Sequence, residues 1–297
     1  MTILLIGAQG QVGQELAQTL APLGNVAAVG REQLDLANLD AIAQLINQTK
    51  PQLVVNAAAY TAVDKAESEP ELARKINAEA PEVMAKSASD CGAVLIHIST
   101  DYVFPGQAGS PRSETDKTGP LGTYGKTKLA GEDAIRAACS KHVILRTAWV
   151  YGTQGKGNFL KTMLRLGKER ETLSVVSDQI GSPTWAKDIA EAIAHLAQQI
   201  QTAPSPDRFG TYHFTNSGVA SWYDFAIAIF EEAKALGIPL KIESVNPIAT
   251  ADYPTPAQRP AYSVLSCKKF ANQTGQTPPY WRTSLRQMLA DYIEQTA

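Results

Sequence analysis

Ile3-Leu4-Leu5-Ile6-Gly7-Ala8-Gln9-Gly10-Gln11-Val12-Gly13 is the stretch on which the reading of the fold turns. Four consecutive apolar residues, with no polar alternation, read as a strand buried on both faces. Glycines follow at 7, 10 and 13, and Val12, Leu16 and Leu20 recur at helical spacing. A glycine turn between a buried strand and a helix start gathers free backbone N–H groups at the positive end of the helix dipole, where a pyrophosphate binds. The G-x-x-G-x-x-G spacing permits a tight turn, close backbone approach and close helix–strand packing. Three glycines near a helix start are also ordinary turn chemistry. The strand before and the helix after favour a dinucleotide loop formed by Gly7, Gly10, Gln11, Val12 and Gly13.

Outward from this loop, short apolar runs alternate with helical patterns. Residues 25–29, 53–55, 94–98 and 143–150 read as further strands, and Leu39, Ile42, Leu45 and Ile46 mark a second helix. A helical stretch covers about 71–90, in two pieces, with Pro81 suited to the start of the second. Apolar strands separated by helices predict an α/β fold, a doubly wound parallel sheet of Rossmann type. After residue 150 the pattern changes. Residues 157–170, 185–199, 221–237 and 281–295 read as helices, 178–184 and 203–210 as loops, and 246–260 is rich in proline and alanine. The expected organisation is a dinucleotide-binding domain over 1–150 and a smaller α/β substrate-binding region over 151–297, with the chain crossing between them.

Composition narrows the function classes. Of 297 residues, 44% are hydrophobic and 19% charged, which suits a globular chain rather than a disordered one. A formal charge of −2 gives no field that would draw nucleic acid or an anionic membrane. Cys91, Cys139 and Cys267 lack metal-type spacing and read as idle thiols of a reducing compartment. No basic region precedes the apolar run at Ile3, and no stretch reaches the roughly 18 apolar residues of a membrane span. The expected location is the cytoplasm.

Several side chains carry chemistry. Arg31 follows the second strand, where an acidic residue would bind the ribose 2′-OH of NAD and an arginine accepts a 2′-phosphate. NADPH is therefore the expected cofactor, with NADH the second candidate; an exposed arginine without a ligand is the alternative. Asp35-Leu36 is placed to hold the adenine, and the small residues after Asn56 let a dinucleotide lie close to the sheet. Tyr124 and Lys128 lie four apart, on one face of a helix. A free tyrosine titrates near 10, too high for proton transfer at neutrality, and a neighbouring ammonium favours the phenolate. Lys128 is also suited to the nicotinamide ribose. Thr100, at the carboxyl end of the fourth strand, is placed to donate to a substrate carbonyl.

Longer blocks point to a family. They are Gly7–Gly13, Asn56–Glu67 (NAAAYTAVDKAE), Ser99–Gly106 (STDYVFPG), Tyr124–Glu132 (YGKTKLAGE), Arg146–Tyr151 (RTAWVY), Asp178–Thr184 (DQIGSPT) and Tyr253–Pro260 (YPTPAQRP). In these blocks, which span nearly the whole chain, the sequence resembles the extended short-chain dehydrogenases that act on nucleotide sugars. The resemblance implies reduction of a 4-keto group on a dTDP-sugar, with Tyr124 as proton donor, Lys128 its partner and Thr100 donating to the carbonyl. It further implies that Gly10, Gln11, Val12, Asp35, Leu36, Ala59, Tyr60 and Thr61 line the cofactor. Asp101, Tyr102 and Trp149 would contact the sugar nucleotide, with Arg259 on its diphosphate. Gly30 stands where some relatives carry an acidic residue, which again favours NADPH. Members of the family can be Mg²⁺-bound homodimers; Glu15 suits that role, but Lys187-Asp188 offers one carboxylate where two are wanted.

Plainer readings stand beside these. Tyr60 and Trp149 also fit core aromatics, and Asp64-Lys65 with Glu67 fit a solvated or ion-paired face. His97 reads as a packed core histidine; His142, His195 and His213 have no metal spacing. A related dehydratase would place a carboxylate where this chain has Tyr102, and an epimerase would return its NAD unchanged. A non-catalytic dinucleotide-binding regulator is the reading outside enzymology, disfavoured by intact Thr100, Tyr124 and Lys128.

Overall fold

The computed structural model describes residues 1–107, 109–155 and 157–296. Five strands follow the expected order: β1 (Thr2–Ile6), β2 (Asn25–Val29), β3 (Leu53–Asn56), β4 (Val94–Thr100) and β5 (His142–Thr147). All pair in parallel, and the six-stranded sheet is completed beyond β5 by the strand Gly210–His213. That sixth strand lies where the sequence reading ended a loop, and its polar residues gave no strand signal. Pairing with β5 creates its burial, Tyr212 and His213 both being 0% exposed.

Alternate residues of each strand face opposite sides of the sheet. Ile3, Leu5, Val55, Ile96 and Val143 pack under α1 (Gln11–Thr19) and the helix Ala186–Thr202. Leu4, Ile6, Val54, Leu95 and Ile144 pack on the other side. That side is covered by α2 (Leu39–Thr49) and by a helical run comprising α3 (Val63–Ala66), α4 (Pro70–Arg74), a π-helical turn (Lys75–Glu79) and α5 (Ala80–Asp90). Pro81 sits in the first turn of α5 as expected. The sheet is therefore a doubly wound, Rossmann-like layer with helices on both faces. A separate core gathers Leu160, Met163, Leu164, Phe225, Ile229, Trp281 and Leu285 from the second half of the chain.

Two further expectations differ. β5 stops at Thr147 because Trp149 adopts a left-handed φ of 49°, and Val150–Tyr151 pairs instead with Thr184–Trp185. Ser244–Ile248 forms a strand beside Thr172–Val176 despite Pro247, which is tolerated because a two-stranded sheet is all edge. The registers Ile6↔Asn56, Asn56↔His97 and Thr100↔Thr147 put the carboxyl ends of β1, β3, β4 and β5 on one edge of the sheet, with β4 and β5 running three residues further. Ligands of open α/β sheets gather along that crest.

Candidate active site

The glycine loop is shaped by contacts that only glycine allows. Gly7 has φ +86°, and a Cβ there would lie 2.7 Å from Ala58 N. A Cβ on Gly13 would lie 2.0 Å from Gly7 O. Gly10 N–H donates to Gly7 O at 3.0 Å, closing the turn. Helix α1 has no side-chain cap, so its first-turn N–H groups keep no side-chain acceptor of their own. These features fit a pyrophosphate. Val12 is 8% exposed with its side chain in the core, so it can offer only its backbone. Sequence reasoning missed the cover over this loop: Asn158 Nδ2 donates to Gln11 Oε1 at 2.7 Å and to Gly152 O at 2.9 Å. For Gly13→Ala, NADPH affinity is expected to fall at least about tenfold, with stability reduced by about 1–3 kcal/mol through overpacking. Fluorescence titration and thermal melting check this.

On the adenosine side, Arg31 is exposed beside buried Gly30, whose N–H donates to Gln33 Oε1 at 2.9 Å. Asp35 Oδ1 accepts from Ala37 N–H at 3.0 Å, and Leu36 is 8% exposed, its side chain in the core. Ala59, Tyr60 and Thr61 follow the end of β3. Tyr60 is half-buried rather than core, and its hydroxyl donates to Glu69 Oε2 at 2.7 Å. Its backbone is pinned by Asn77 in the π-helical turn: Tyr60 N–H donates to Asn77 Oδ1 at 2.8 Å, and Asn77 Nδ2 to Tyr60 O at 3.1 Å. Asn77 Nδ2 also donates to Thr127 Oγ1 at 3.2 Å. An asparagine inside a helix is poor there unless its side chain is used, which is the one signal that could have pointed to this residue.

Tyr124 and Lys128 lie on α6 (Thr123–Ala138), against Thr100 at the end of β4. The first turn of α6 is capped from outside, by Glu67, which accepts from Thr123 N–H at 2.7 Å and Thr123 Oγ1 at 2.8 Å. Glu67 is thus more than a solvated face. Gly131 lets α6 seat on Asn77, since a Cβ would lie 2.1 Å from Asn77 O. Below it, buried Glu132 accepts from Ser99 Oγ (2.6 Å), Arg146 Nε (2.9 Å) and Arg146 Nη2 (2.6 Å), and from Arg136 Nη2 at 2.6 Å. This network joins α6 to β4 and β5.

The electrostatics differ from the expectation that Lys128 acidifies Tyr124. Burial pushes the Tyr124 phenol up to about 12, against a hydrogen bond with Thr100. The Lys128 amine points elsewhere: Nζ donates to Ile98 O at 2.8 Å and lies 3.0 Å from His97 Nε2. Burial lowers Lys128 to about 8. His97 is buried as expected, but its ring links Lys128 to Asn56 Nδ2, 2.9 Å from His97 Nδ1. Thr100 Oγ1 donates to Asp101 Oδ1 at 3.0 Å, and burial pushes the Asp101 carboxyl up to about 6. Tyr102 meets Tyr124 edge-to-face, with centroids 5.4 Å apart.

Trp149 is half-buried. It stacks on Trp222 at 3.5 Å, which covers one face of the ring, and a Cβ on Gly181 would lie 2.4 Å from its ring atoms, so the backbone of Gly181 also packs against it. Arg259 is engaged by Asp64 through two bonds of 3.0 and 2.8 Å and by Thr255 Oγ1 at 2.6 Å. The expected ion-paired face is therefore present: Asp64 with Arg259, and Lys65 with Glu69 at 2.7 Å. Glu15 is 8% exposed and faces Lys187, Asp291 and Glu191; burial raises its carboxyl. Asp188 is held by Asn216 Nδ2 and Ser284 Oγ, both at 2.6 Å. Among the described residues no group of three or more His, Cys, Asp or Glu is placed to hold a metal ion, so nothing supports the expected Mg²⁺ at Glu15. Nor, among them, is any helix long and apolar enough to cross a membrane.

A doubly wound sheet, a glycine phosphate loop and a Thr–Tyr–Lys set on β4 and α6 define a short-chain dehydrogenase/reductase. Residues 1–294 match the family model described as RmlD substrate binding domain. The chain is 48% identical to a dTDP-4-dehydrorhamnose reductase of Escherichia coli K12, over 100% of both chains. Its structure resembles a dTDP-4-dehydrorhamnose reductase of Clostridium acetobutylicum, with TM-score 0.91 and 40% identity, covering 99% of this chain and 100% of that one. The Bacillus anthracis enzyme of the same name, in complex with NADP, gives TM-score 0.88 at 36% identity, covering 98% and 99%. The chain belongs to this family of NAD(P)H-dependent nucleotide-sugar reductases, the dTDP-4-dehydrorhamnose reductases.

Proposed function

We propose that this chain reduces the C4 keto group of dTDP-4-dehydro-L-rhamnose with NADPH, giving dTDP-L-rhamnose, and does so in the cytoplasm. The observation that carries this reading is the hydrogen bond between Tyr124 and Thr100 at the carboxyl end of β4, with Lys128 one helical turn further along α6, in a chain matched end to end by reductases of that name. When bound, NADPH supplies the hydride that reaches C4. Gly7, Gly10, Gln11, Val12 and Gly13 hold its pyrophosphate through the start of α1, and Arg31 its 2′-phosphate. Asp35 and Leu36 border the adenine, with Ala59, Tyr60 and Thr61 along the dinucleotide. Thr100 orients the C4 carbonyl. Tyr124 gives the proton to O4 as charge develops there, and Lys128 stabilises the phenolate and holds the nicotinamide ribose. Asp101, Tyr102 and Trp149 contact the sugar nucleotide, and Arg259 exchanges Asp64 for its diphosphate. Residues 1–150 then serve the cofactor and 151–297 chiefly the substrate, with the chain crossing between them.

Tyr102 leaves elimination without the carboxylate that a dehydratase uses. Absorbance of NADPH tests the reading: added dTDP-4-dehydro-L-rhamnose is expected to consume it mole for mole, whereas an epimerase would leave it unchanged. Replacing Arg31→Ala is expected to raise KM for NADPH about tenfold and KM for NADH little, as fits one lost arginine–phosphate contact. Equal effects on the two cofactors would remove Arg31 from the 2′-phosphate site.

A further inference from the structure

The hydrogen bonds behind Lys128 admit one consistent set of donors and acceptors. Ala58 N–H donates to Asn56 Oδ1 at 3.0 Å, which fixes the amide so that Nδ2 faces His97 Nδ1 at 2.9 Å. An amide nitrogen only donates, so Nδ1 accepts. Burial holds the imidazole neutral, and a neutral ring accepting at Nδ1 carries its proton on Nε2. That N–H faces Lys128 Nζ at 3.0 Å. An ammonium has donors and no acceptor, so a charged Lys128 here would set donor against donor. Water gives little relief, since Asn56 is 0% exposed and His97 and Lys128 are each 1% exposed. A neutral amine accepts from Nε2–H and still donates to Ile98 O.

We infer that, at mildly alkaline pH, the ligand-free protein holds Lys128 as a neutral amine through the Asn56–His97 relay, and that Lys128 takes up a proton when a phosphate-bearing dinucleotide binds. The inference rests on the cofactor reading above. The ionisable groups around Lys128 are His97 from β4 and Tyr124 and Glu132 from its own helix. Tyr124 is pushed up and therefore neutral, and Glu132 already pairs with Arg146 and Arg136. None brings an unbalanced negative charge, so desolvation prevails and Lys128 sits near 8. The phosphates of a dinucleotide supply that charge. An ammonium then requires one of two movements. Either Nζ turns from His97 towards the cofactor, or the imidazole and the Asn56 amide both turn over. The second would take Oδ1 from Ala58 N–H, against which Gly7 packs.

Calorimetric titration of NADPH into the protein at pH 9, in two buffers of different ionisation enthalpy, reads the protons taken up per NADPH bound. The wild type is expected to take up roughly 0.5–1 proton. Lys128→Met is expected to take up almost none. So is His97→Glu, because a carboxylate accepts from both Asn56 and Lys128 and holds the ammonium before the cofactor arrives. Binding without uptake in the wild type would overturn the inference, as would uptake that persists in Lys128→Met or in His97→Glu. The wild-type and Lys128→Met arms decide the uptake and its owner even if His97→Glu does not fold. Failure of the wild type to bind NADPH at all would overturn the cofactor reading, and this inference with it.

Discussion

Tyr124→Phe is expected to lower kcat at least about 10³-fold while NADPH binds nearly as tightly as before, a loss within the range of a general acid. The substitution removes one hydroxyl and keeps the ring, so the edge-to-face contact with Tyr102 survives. The nearest rival donor is Asp101, whose carboxyl burial pushes up to about 6. The two differ in pH dependence. A Tyr124 donor, pushed up to about 12, stays protonated through the neutral range, whereas an Asp101 donor would lose activity as pH rises through about 6. Residual turnover in Tyr124→Phe that declines above pH 6 would transfer the role to Asp101.

The second large effect is structural. Glu132→Gln is expected to cost about 3–5 kcal/mol, because it leaves the guanidinium of Arg146 buried without its counter-charge. Arg146 is 2% exposed and Glu132 0%, so water does not compensate. The pH dependence follows from the same bonds. Burial raises the Glu132 carboxyl, but the hydrogen bonds and charge of Arg146, with help from Ser99 and Arg136, outweigh it and hold the group below its ordinary value. A depressed folded pKa gives stability that is present above the unfolded value of about 4.3 and lost as pH falls through the folded one. Melting temperatures of the wild type should therefore fall steeply below about pH 4, with a flatter acid limb in Glu132→Gln. Wild-type stability in the variant would show that α6 is anchored by other contacts.

What was legible in the sequence was local. The run Ile3–Ile6, the glycines at 7, 10 and 13 and the spacing of Tyr124 and Lys128 depend on neighbours within a turn or two, and each stands where its pattern put it. The strand Gly210–His213 did not show, because its burial is conferred by β5, more than sixty residues away. The early end of β5 was equally hidden, since nothing in the composition of Ala148-Trp149-Val150 announces a left-handed tryptophan. The relay through His97 depends on the register Asn56↔His97, a property of two strands together. The expectation that Lys128 lowers Tyr124 treated two side chains on one helix face as sufficient. Burial of both, and the pull of His97 and Ile98 O on the amine, reverse the balance.

Delivery of a hydride to C4 of the sugar by one site, formed by Thr100, Tyr124 and Lys128 beside the glycine loop, can be read directly in the product. The direct measurement is turnover of dTDP-4-dehydro-L-rhamnose with NADPH deuterated at the nicotinamide C4, on the face that transfers, followed by NMR of the product. One deuteron at C4 of dTDP-L-rhamnose is expected for each NADPH oxidised. Product without deuterium at C4, or deuterium at another carbon, would contradict it.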